Sequence, residues 1–509
     1  EDMLKSLIKN GEETPEPLAG TLPAWLQGTL IRNGPGLFSV GDSEYNHWFD
    51  GSSLIHSFTF SNGEVFYKSK FLKSDTYKRN IKANRIIVSE FGTMIYPDPC
   101  KNIFSRAFTH LCNVIPDFTD NNLINIVRYG EDYYASSEVN YINQINPVTL
   151  ETVSRVNYRN HIALNLATAH PHYDDEGNTY NMGTAILGLG RPKYVIFKVP
   201  ASTEQSGGAD VYLHGSVCSV PFRSLLFPSY FHSFGMTENY IVFVEQPFKL
   251  DIVRNADPDT KCSHSNGLSA PQTLFHLINR KTGKAVSTRF YGDALVVFHH
   301  INAYEEDGHV VFDLISYENT NLYDMFYLQN MRRENDDFIQ SNKTFSPPTC
   351  QRFVLPLHIH KDCPTGSNLV TLGDTTARAE LQADGSVFCR PDMLVSSSGL
   401  ELPGINYKFN GKKYRYFYGS RVEWSPHPNK VLLQVHRCQE GCYPSEPVFV
   451  ASPGAVEEDD GVILSSVIST DSKISPFMLV LDAKTMQEVA RASIDANVHM
   501  DLHDSNQKA

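Results

Sequence analysis

The sequence predicts an all-β fold built from one small unit used repeatedly, and two recurring patterns predict it. The first is a turn. Ile145-Asn146-Pro147-Val148-Thr149-x-x-x-Val153 returns as Ile278-Asn279-Arg280-Lys281-Thr282-x-x-x-Val286 and as Leu481-Asp482-Ala483-Lys484-Thr485-x-x-x-Val489. An Asx residue opens each turn, a Thr closes it, and a β-type run leads back, as in the outer hairpin of a sheet. The second pattern is a histidine at a matching place in each unit: His170 in Ala-Thr-Ala-His-Pro-His, His232 in Ser-Tyr-Phe-His-Ser-Phe-Gly, and His299 in Val-Phe-His-His-Ile-Asn. Turns rich in Asp, Glu, Asn or Gly follow at 174–177, 237–239 and 305–308, each with a β-type run behind it. Units of about 40–50 residues set around an axis, with loops and short helices capping one face, make a β-propeller.

The strand expectations, in chain order, are Ile55–Phe60, Val65–Leu72, Tyr194–Val199, Tyr240–Val244, Val310–Ile315, Tyr414–Tyr418, Val462–Ile468 and Phe477–Leu481. They are short and rich in β-branched or aromatic residues, and Asn-Gly, Asp-Gly or Pro bounds many of them. Helical periodicity is weak. It is best over Asn102–Leu111, after Asp98-Pro99, and over part of Asn321–Met331. Glu457-Glu458-Asp459-Asp460-Gly461 reads as a solvated turn leading into a strand, and Arg254–Gln272 as a polar excursion.

Composition narrows the function. The 509 residues are 41% hydrophobic and 20% charged, enough for a large core. The 30 Phe and 25 Tyr against 3 Trp suit strands, and they also suit an apolar conjugated ligand. A formal net charge of −13 argues against nucleic acid as a partner. Nine Cys, mostly scattered singly, suggest reduced thiols and a cytoplasmic protein. Cys438 and Cys442 stand beside His436, but no second pair accompanies them as a zinc site would require. No stretch reaches the roughly 20 apolar residues needed to span a bilayer. Glu1–Lys5 carries no apolar signal core, so a soluble chain is expected.

Histidines that share one position in repeats around an axis converge, and converging neutral imidazoles make a transition-metal site. His170, His232 and His299 meet that condition. A fourth ligand is expected near the C-terminus, where His499 and His503 are the candidates. Carboxylates on the outer ring nitrogens would fix the tautomers and spread the metal's charge. Glu138, Glu401 and Glu446 sit in apolar or turn contexts and are the candidates, although the residues alone read each of them as an exposed strand-end Glu.

These residues also carry a family resemblance. Arg32-Asn-Gly-Pro-Gly36, His47-Trp-Phe-Asp-Gly51, Tyr96-Pro-Asp-Pro-Cys-Lys-Asn-Ile-Phe104, Ala167-Thr-Ala-His-Pro-His172, Phe298-His-His-Ile-Asn-Ala-Tyr-Glu305, Tyr443-Pro-Ser-Glu-Pro447 and Glu458-Asp-Asp-Gly-Val462 occur in order. In them the chain resembles the carotenoid cleavage oxygenases, in the animal branch that includes the visual-cycle retinoid isomerase. The resemblance runs from about residue 15 to His503. Ala490-Arg-Ala-Ser-Ile-Asp495, His499-Met-Asp-Leu-His503, Glu44-Tyr-Asn-His-Trp48 and Ile115-Pro-Asp-Phe-Thr-Asp120 are similar to the branch that cuts β-carotene at its central double bond.

The resemblance implies a single seven-bladed propeller over residues 1–509 with one Fe(II) on its axis. It implies His170, His232, His299 and His503 as ligands, with Glu138, Glu401 and Glu446 behind three of them and none behind His170. His299 is taken over His300 because the family's spacing is Phe-His-x-x-Asn. The implied partners are a carotenoid and dioxygen. Tyr96, Phe104, Phe108, Tyr230, Phe231 and Phe234 are candidate tunnel-lining residues. Ile103–Ile115, with Lys101 and Arg106, is a candidate interfacial segment for peripheral membrane contact.

Three features depart from the family pattern. Asp504 follows the last ligand where Gly is usual, the Lys430–Tyr443 hairpin is short, and Arg254–Gln272 is more polar. Two alternatives therefore stay open beside central cleavage. One is off-centre cleavage to apocarotenals. The other is a non-enzymatic carotenoid-binding propeller, which would follow if His503 is displaced. A retinoid isomerase fits the motifs less well.

Overall fold

The structure is a computed structural model. It describes residues 14–15, 18–95, 119–186, 191–201, 216–223, 228–249, 272–332, 347–360, 362–395, 399–421, 441–496 and 498–507. The architecture is all-β, as expected. In chain order, six sheets of four or more strands are present among the described residues. The first contains Gly28–Leu37, Ser52–Ser61 and Glu64–Phe71, and the second runs from Asn125–Tyr129 to Thr152–Asn157. The third centres on Thr179–Ala185 and Lys193–Val199, and the fourth on Tyr240–Glu245 and Gln272–Asn279. The fifth holds Val296–Glu306, His309–Tyr317 and Thr349–Pro356, and the sixth holds Gly461–Ser469, Phe477–Asp482 and Glu488–Ser493. A two-stranded pair, Leu400–Gly404 with Tyr418–Arg421, lies between the last two in sequence.

Side-chain alternation explains how these sheets assemble. Successive residues on a strand point to opposite faces, so each sheet can bury both faces. On the first sheet, Ile31 and Ile55 pack with Ile126, Ala135 and Ile145 of the second. Their neighbours Leu30 and Phe58 pack with Val462, Leu464, Met478 and Val480 of the sixth. Val127 and Tyr134 pair the second sheet with Val195 and Phe197 of the third. Phe243 and Ile278 meet Met182 and Ile196 between the third and fourth, and Phe275 meets Phe312 and Phe353 between the fourth and fifth. Val311 and Val354 of the fifth meet Leu400 and Tyr414, while Tyr418 packs against Phe449. The sheets thus form a closed ring.

The two ends of the chain lock that ring reciprocally. Leu18–Gly20 pairs with Glu488–Ser493 of the sixth sheet, and His503–Gln507 pairs with Gly28–Leu37 of the first.

The repeated turn has one geometry at all three places. Asn146 Oδ1 accepts from Thr149 N at 3.0 Å, Asn279 Oδ1 from Thr282 N at 2.9 Å, and Asp482 Oδ1 from Thr485 N at 2.8 Å. The residue after the Thr has positive φ each time: Leu150 at 58°, Gly283 at 66° and Met486 at 56°.

Seven of the eight strand expectations fall within observed strands to within a residue. Tyr414–Tyr418 is corrected, since only Tyr418 is in a strand. The Glu458 carboxylate accepts from Arg415 N and Tyr416 N, and the Tyr414 hydroxyl donates to Asp313 Oδ2 at 2.5 Å, so side chains take the place of a ladder there. The acidic turn therefore anchors a loop.

Asn321–Met331 holds two short helices, Asn321–Met325 and Leu328–Met331. The helix Asp75–Ala83 was not expected, although Ser74 caps its N-terminus by accepting from Tyr77 N at 3.0 Å. Cys218, Cys350, Cys363, Cys389 and Cys442 are unbridged. No helix among the described residues is long and apolar enough to cross a membrane. The expectations for 102–111 and 103–115, and most of 254–272 and 430–443, lie outside the described residues.

Candidate metal centre

Four strand environments bring four imidazoles together. His170 follows the short strand Leu166–Ala167, and its N–H donates to Thr168 Oγ1 at 2.7 Å. His232 precedes Gly235–Met236. Next to it, the Ser233 hydroxyl donates to Phe298 O at 2.5 Å, tying this segment to the strand that carries His299.

His299 lies in an irregular stretch of Val296–Glu306. The pairing steps from Val297↔Ser316 to His300↔Leu314 to Asn302↔Asp313. A bulge of this kind re-aims side chains. His299 turns to the other imidazoles, while His300 Nδ1 meets the Ser233 hydroxyl at 2.9 Å. His503 opens the closing strand, opposite Asn33.

The ligating atoms of His170, His232, His299 and His503 all lie within 4.8 Å of one another. His170 Nε2 is 2.8 Å from His232 Nε2, and His299 Nε2 is 3.4 Å from His503 Nε2. Adjacent nitrogens bound about 2.1 Å from one metal stand about 3 Å apart, so these spacings fit a shared ion. The changed residues after His503 leave its imidazole in the group. His499 is buried elsewhere, with its ring 5.8 Å from that of Phe38.

Burial holds two of the four imidazoles in the neutral form a metal needs. Burial first, then the neighbouring imidazoles, holds His170 and His503 well below the ordinary histidine range, so both are neutral. Burial pushes His299 down, but the carboxylates around it, Glu401 first and then Glu446 and Glu138, together outweigh that and leave its pKa raised.

Each of the three glutamates meets a different ring. Glu138 Oε1 is 2.6 Å from His232 Nδ1, Glu401 Oε2 is 2.6 Å from His299 Nδ1, and Glu446 Oε1 is 3.0 Å from His503 Nδ1. Each carboxylate accepts a hydrogen bond from Nδ1–H, which keeps the proton on that nitrogen and leaves Nε2 as a lone-pair donor. Glu401 also accepts from the Tyr317 hydroxyl at 2.6 Å and from Leu402 N at 2.8 Å. Burial raises its pKa, but His299 and these donors outweigh that and leave it lowered.

Several site residues were invisible in the sequence. Tyr317 ends a strand with no local mark of its role. Tyr230, by contrast, was a sequence candidate: its hydroxyl donates to Glu138 Oε2 at 2.9 Å, so it stands against the centre. Behind His503, Arg32 Nε donates to Asp501 Oδ2 at 3.0 Å, and His56 Nε2 lies 3.1 Å from Asp501 Oδ1. All three side chains are fully buried. Arg32 lies in the Arg-Asn-Gly-Pro-Gly motif, which was the available signal.

The other sequence candidates divide. Phe234 is fully buried with its ring 4.9 Å from that of His172, and Phe231 packs on Tyr194 and Phe243 in the same apolar cluster. Tyr96, Phe104 and Phe108 lie outside the described residues. An aromatic row leads away from the centre. Phe298 is 5.7 Å from His232 between ring centroids, Tyr323 is 5.2 Å from Phe298, and Phe91 is 5.7 Å from Tyr323. Phe91 is 58% exposed, so the row reaches the surface.

Comparison with known proteins decides the family. The model described as RPE65, retinal pigment epithelial membrane protein, matches residues 7–505. The chain belongs to the RPE65 family. Among its RPE65-family relatives, the mouse protein named "Beta,beta-carotene 15,15'-dioxygenase" is 55% identical, over 97% of this chain and 90% of the relative. The human protein of that name is 54% identical, over 97% and 93%. A ferret "Carotenoid-cleaving dioxygenase, mitochondrial" is 42% identical, over 98% and 95%. Cobalt-substituted Synechocystis ACO superposes with a TM-score of 0.75 at 21% identity, covering 100% of this chain and 98% of that one. At that identity the likeness concerns the fold.

Proposed function

We propose that this chain is an Fe(II)-dependent dioxygenase that cleaves the central double bond of β-carotene with dioxygen to give retinal. The observation that carries the reading is the convergence of His170, His232, His299 and His503, with carboxylates behind three of them. It occurs in a chain 55% identical to a relative named for that reaction. The six sheets and the 400–421 pair are read as the seven blades of one propeller spanning residues 1–509. An all-imidazole set suits iron as it does zinc, copper and nickel, and four protein ligands leave up to two positions open on a six-coordinate ion. Iron bound there would supply activation of dioxygen.

The chain's own residues hold and shield. Glu138, Glu401 and Glu446 keep three ring protons on the outer nitrogens. Tyr230 and Tyr317 hold two of those carboxylates in place. The row Phe298, Tyr323, Phe91 offers a dry aromatic face along which an apolar polyene can lie. The bond resting beside the metal is then the one cut, so specificity is a matter of positioning. Tyr230 is the sequence-expected lining residue that best fits this role. A cytoplasmic protein in peripheral contact with membranes completes the reading. Exposed Phe91 at the outer end of the row supports that contact, because a lipid-soluble substrate would enter there without crossing water.

Product identity tests the reading. Iron-loaded protein with β-carotene should yield retinal, and a chelator should stop the reaction. Apocarotenals of unequal length would replace it with off-centre cleavage. Carotenoid that binds and stays intact would replace it with a binding propeller.

A further inference from the structure

We propose that Asn125 and Asn181 are positioning residues for His170, holding through the backbone what the glutamates hold through the ring for the other three histidines. The inference rests on the metal-centre reading above. Among the described residues, no carboxylate hydrogen-bonds His170, so its aim depends on the peptide groups that lead into it.

Those peptide groups lie where the sheet cannot hold them. Leu166–Ala167 and His172–Tyr173 both pair with Thr179–Ala185, but Ala169–Pro171 between them make no ladder contact. Pro171 has no N–H to give. Two amide side chains take over. Asn181 Nδ2 donates to Thr168 O at 2.9 Å, and Asn125 Nδ2 donates to Ala169 O at 2.7 Å. The two carbonyls before His170 are thereby both captured, and the His170 N–H is held by Thr168 Oγ1 at 2.7 Å.

The amides themselves are fixed the right way round. Asn125 Oδ1 accepts from Ile126 N at 2.8 Å, and Asn181 Oδ1 accepts from Met182 N at 2.7 Å. Each oxygen is committed to a backbone donor, so each nitrogen must face the carbonyl.

Asn125 also links His170 to the closing ligand. Its carbonyl accepts from Asn33 Nδ2 at 3.2 Å, and the Asn33 carbonyl accepts from Leu502 N at 2.9 Å. The residues preceding His170 and His503 thus hang on one hydrogen-bonded rail. A change at Asn125 moves one ligand relative to another, which a purely structural asparagine would not do.

Asn125→Asp and Asn181→Asp are the sharp variants. Each keeps the size and the committed oxygen, removes the donor and sets an oxygen against a carbonyl. Asn80→Asp is the control: Asn80 is buried, donates to the Tyr45 hydroxyl at 3.0 Å and accepts from Ile87 N at 2.9 Å, bonds that involve none of the four histidines or their carboxylates. Co(II) titration of metal-free full-length protein, the visible absorption of the Co(II) form, and the melting temperature are read together. N125D and N181D should weaken Co(II) binding roughly 10–100-fold, as loss of an outer support does, and shift the absorption bands. N80D should lower the melting temperature while keeping wild-type affinity and spectrum. Wild-type affinity and spectrum in both N125D and N181D would overturn the proposal, whatever their stability. Wild-type protein that takes up no Co(II) would overturn the metal-centre reading and this inference with it. If an Asp variant does not fold, Asn→Ser at that position, with a hydroxyl donor in the amide's place, is judged by the same affinity.

Discussion

Asn33 and His503 are directly opposed in the antiparallel pairing of Gly28–Leu37 with His503–Gln507. The contact that closes the ring therefore also sets the last imidazole. The His503 side chain can reach the centre only if the first and last strands hold their register, so stability and metal binding are coupled at this point.

Gly34 tests that coupling. A Cβ there would lie 2.9 Å from Asp501 Cα and 3.1 Å from Met500 O, both backbone atoms of the approach to His503. Gly34→Ala should cost about 1–3 kcal/mol in urea unfolding, as overpacking does. It should also weaken metal binding, because the displaced segment carries a ligand. Lost stability with unchanged metal affinity would separate closure from the centre.

Asp501 is the partner of Arg32 in the interior, with both side chains fully buried. Asp501→Asn removes the only charge of the pair that can be removed cleanly and leaves a buried guanidinium. The expected cost is about 3–5 kcal/mol, seen as a large drop in thermal midpoint. A loss below about 1 kcal/mol, the range of exposed pairs, would mean that Arg32 is well served without it.

Glu401→Gln replaces one of the two carboxylate oxygens that serve His299, Tyr317 and Leu402 with an NH2 group. Gln keeps one acceptor oxygen but no charge, so iron affinity should fall roughly 10–100-fold. Glu138→Gln and Glu446→Gln should act in the same direction on His232 and His503. Wild-type iron content and turnover in all three variants would reduce these carboxylates to structural acceptors.

His47 predicts a pH effect on stability. Its Nε2 donates to Tyr323 O at 2.9 Å and its Nδ1 accepts from Phe49 N at 3.1 Å, a pattern only the neutral ring can make. Burial pushes its pKa from 6.5 down to about 4. The unfolded chain takes up this proton below about pH 6.5, the folded chain only below about 4. The His47 contribution is therefore intact above 6.5 and is lost as pH falls toward 4, by on the order of 3 kcal/mol at most. Asp50, raised to about 6 by burial, acts in the opposite sense. In denaturant titrations, His47→Gln should lower stability at neutral pH and reduce the acid-side slope by about one proton. An unchanged slope would show that His47 is not held neutral.

The all-β class was legible because turn chemistry is local: the same Asx and Thr bonds form at Asn146, Asn279 and Asp482 wherever those residues recur. His170, His232 and His299 were legible because a repeated unit places equivalent residues on one axis, whereas His503 was taken over His499 only through the family resemblance. The Tyr414–Tyr418 error has the opposite origin. Its residues favour a strand, but the Glu458 carboxylate, distant in sequence, takes the N–H groups a ladder would use. Tyr317, Asp501, Asn125 and Asn181 stayed hidden for a similar reason. Each acts through a long-range contact that leaves no local spacing to read. The helix at Asp75–Ala83 was a missed local signal, since Ser74 caps it and Asn84 closes it in the left-handed conformation.

The ratio of aldehyde formed to carotene consumed tests the central claim most directly. Purified iron-loaded protein should convert each β-carotene into two molecules of retinal, with no longer or shorter apocarotenal. Unequal aldehydes, or retinal at one molecule or fewer per carotene, would contradict cleavage at the central bond.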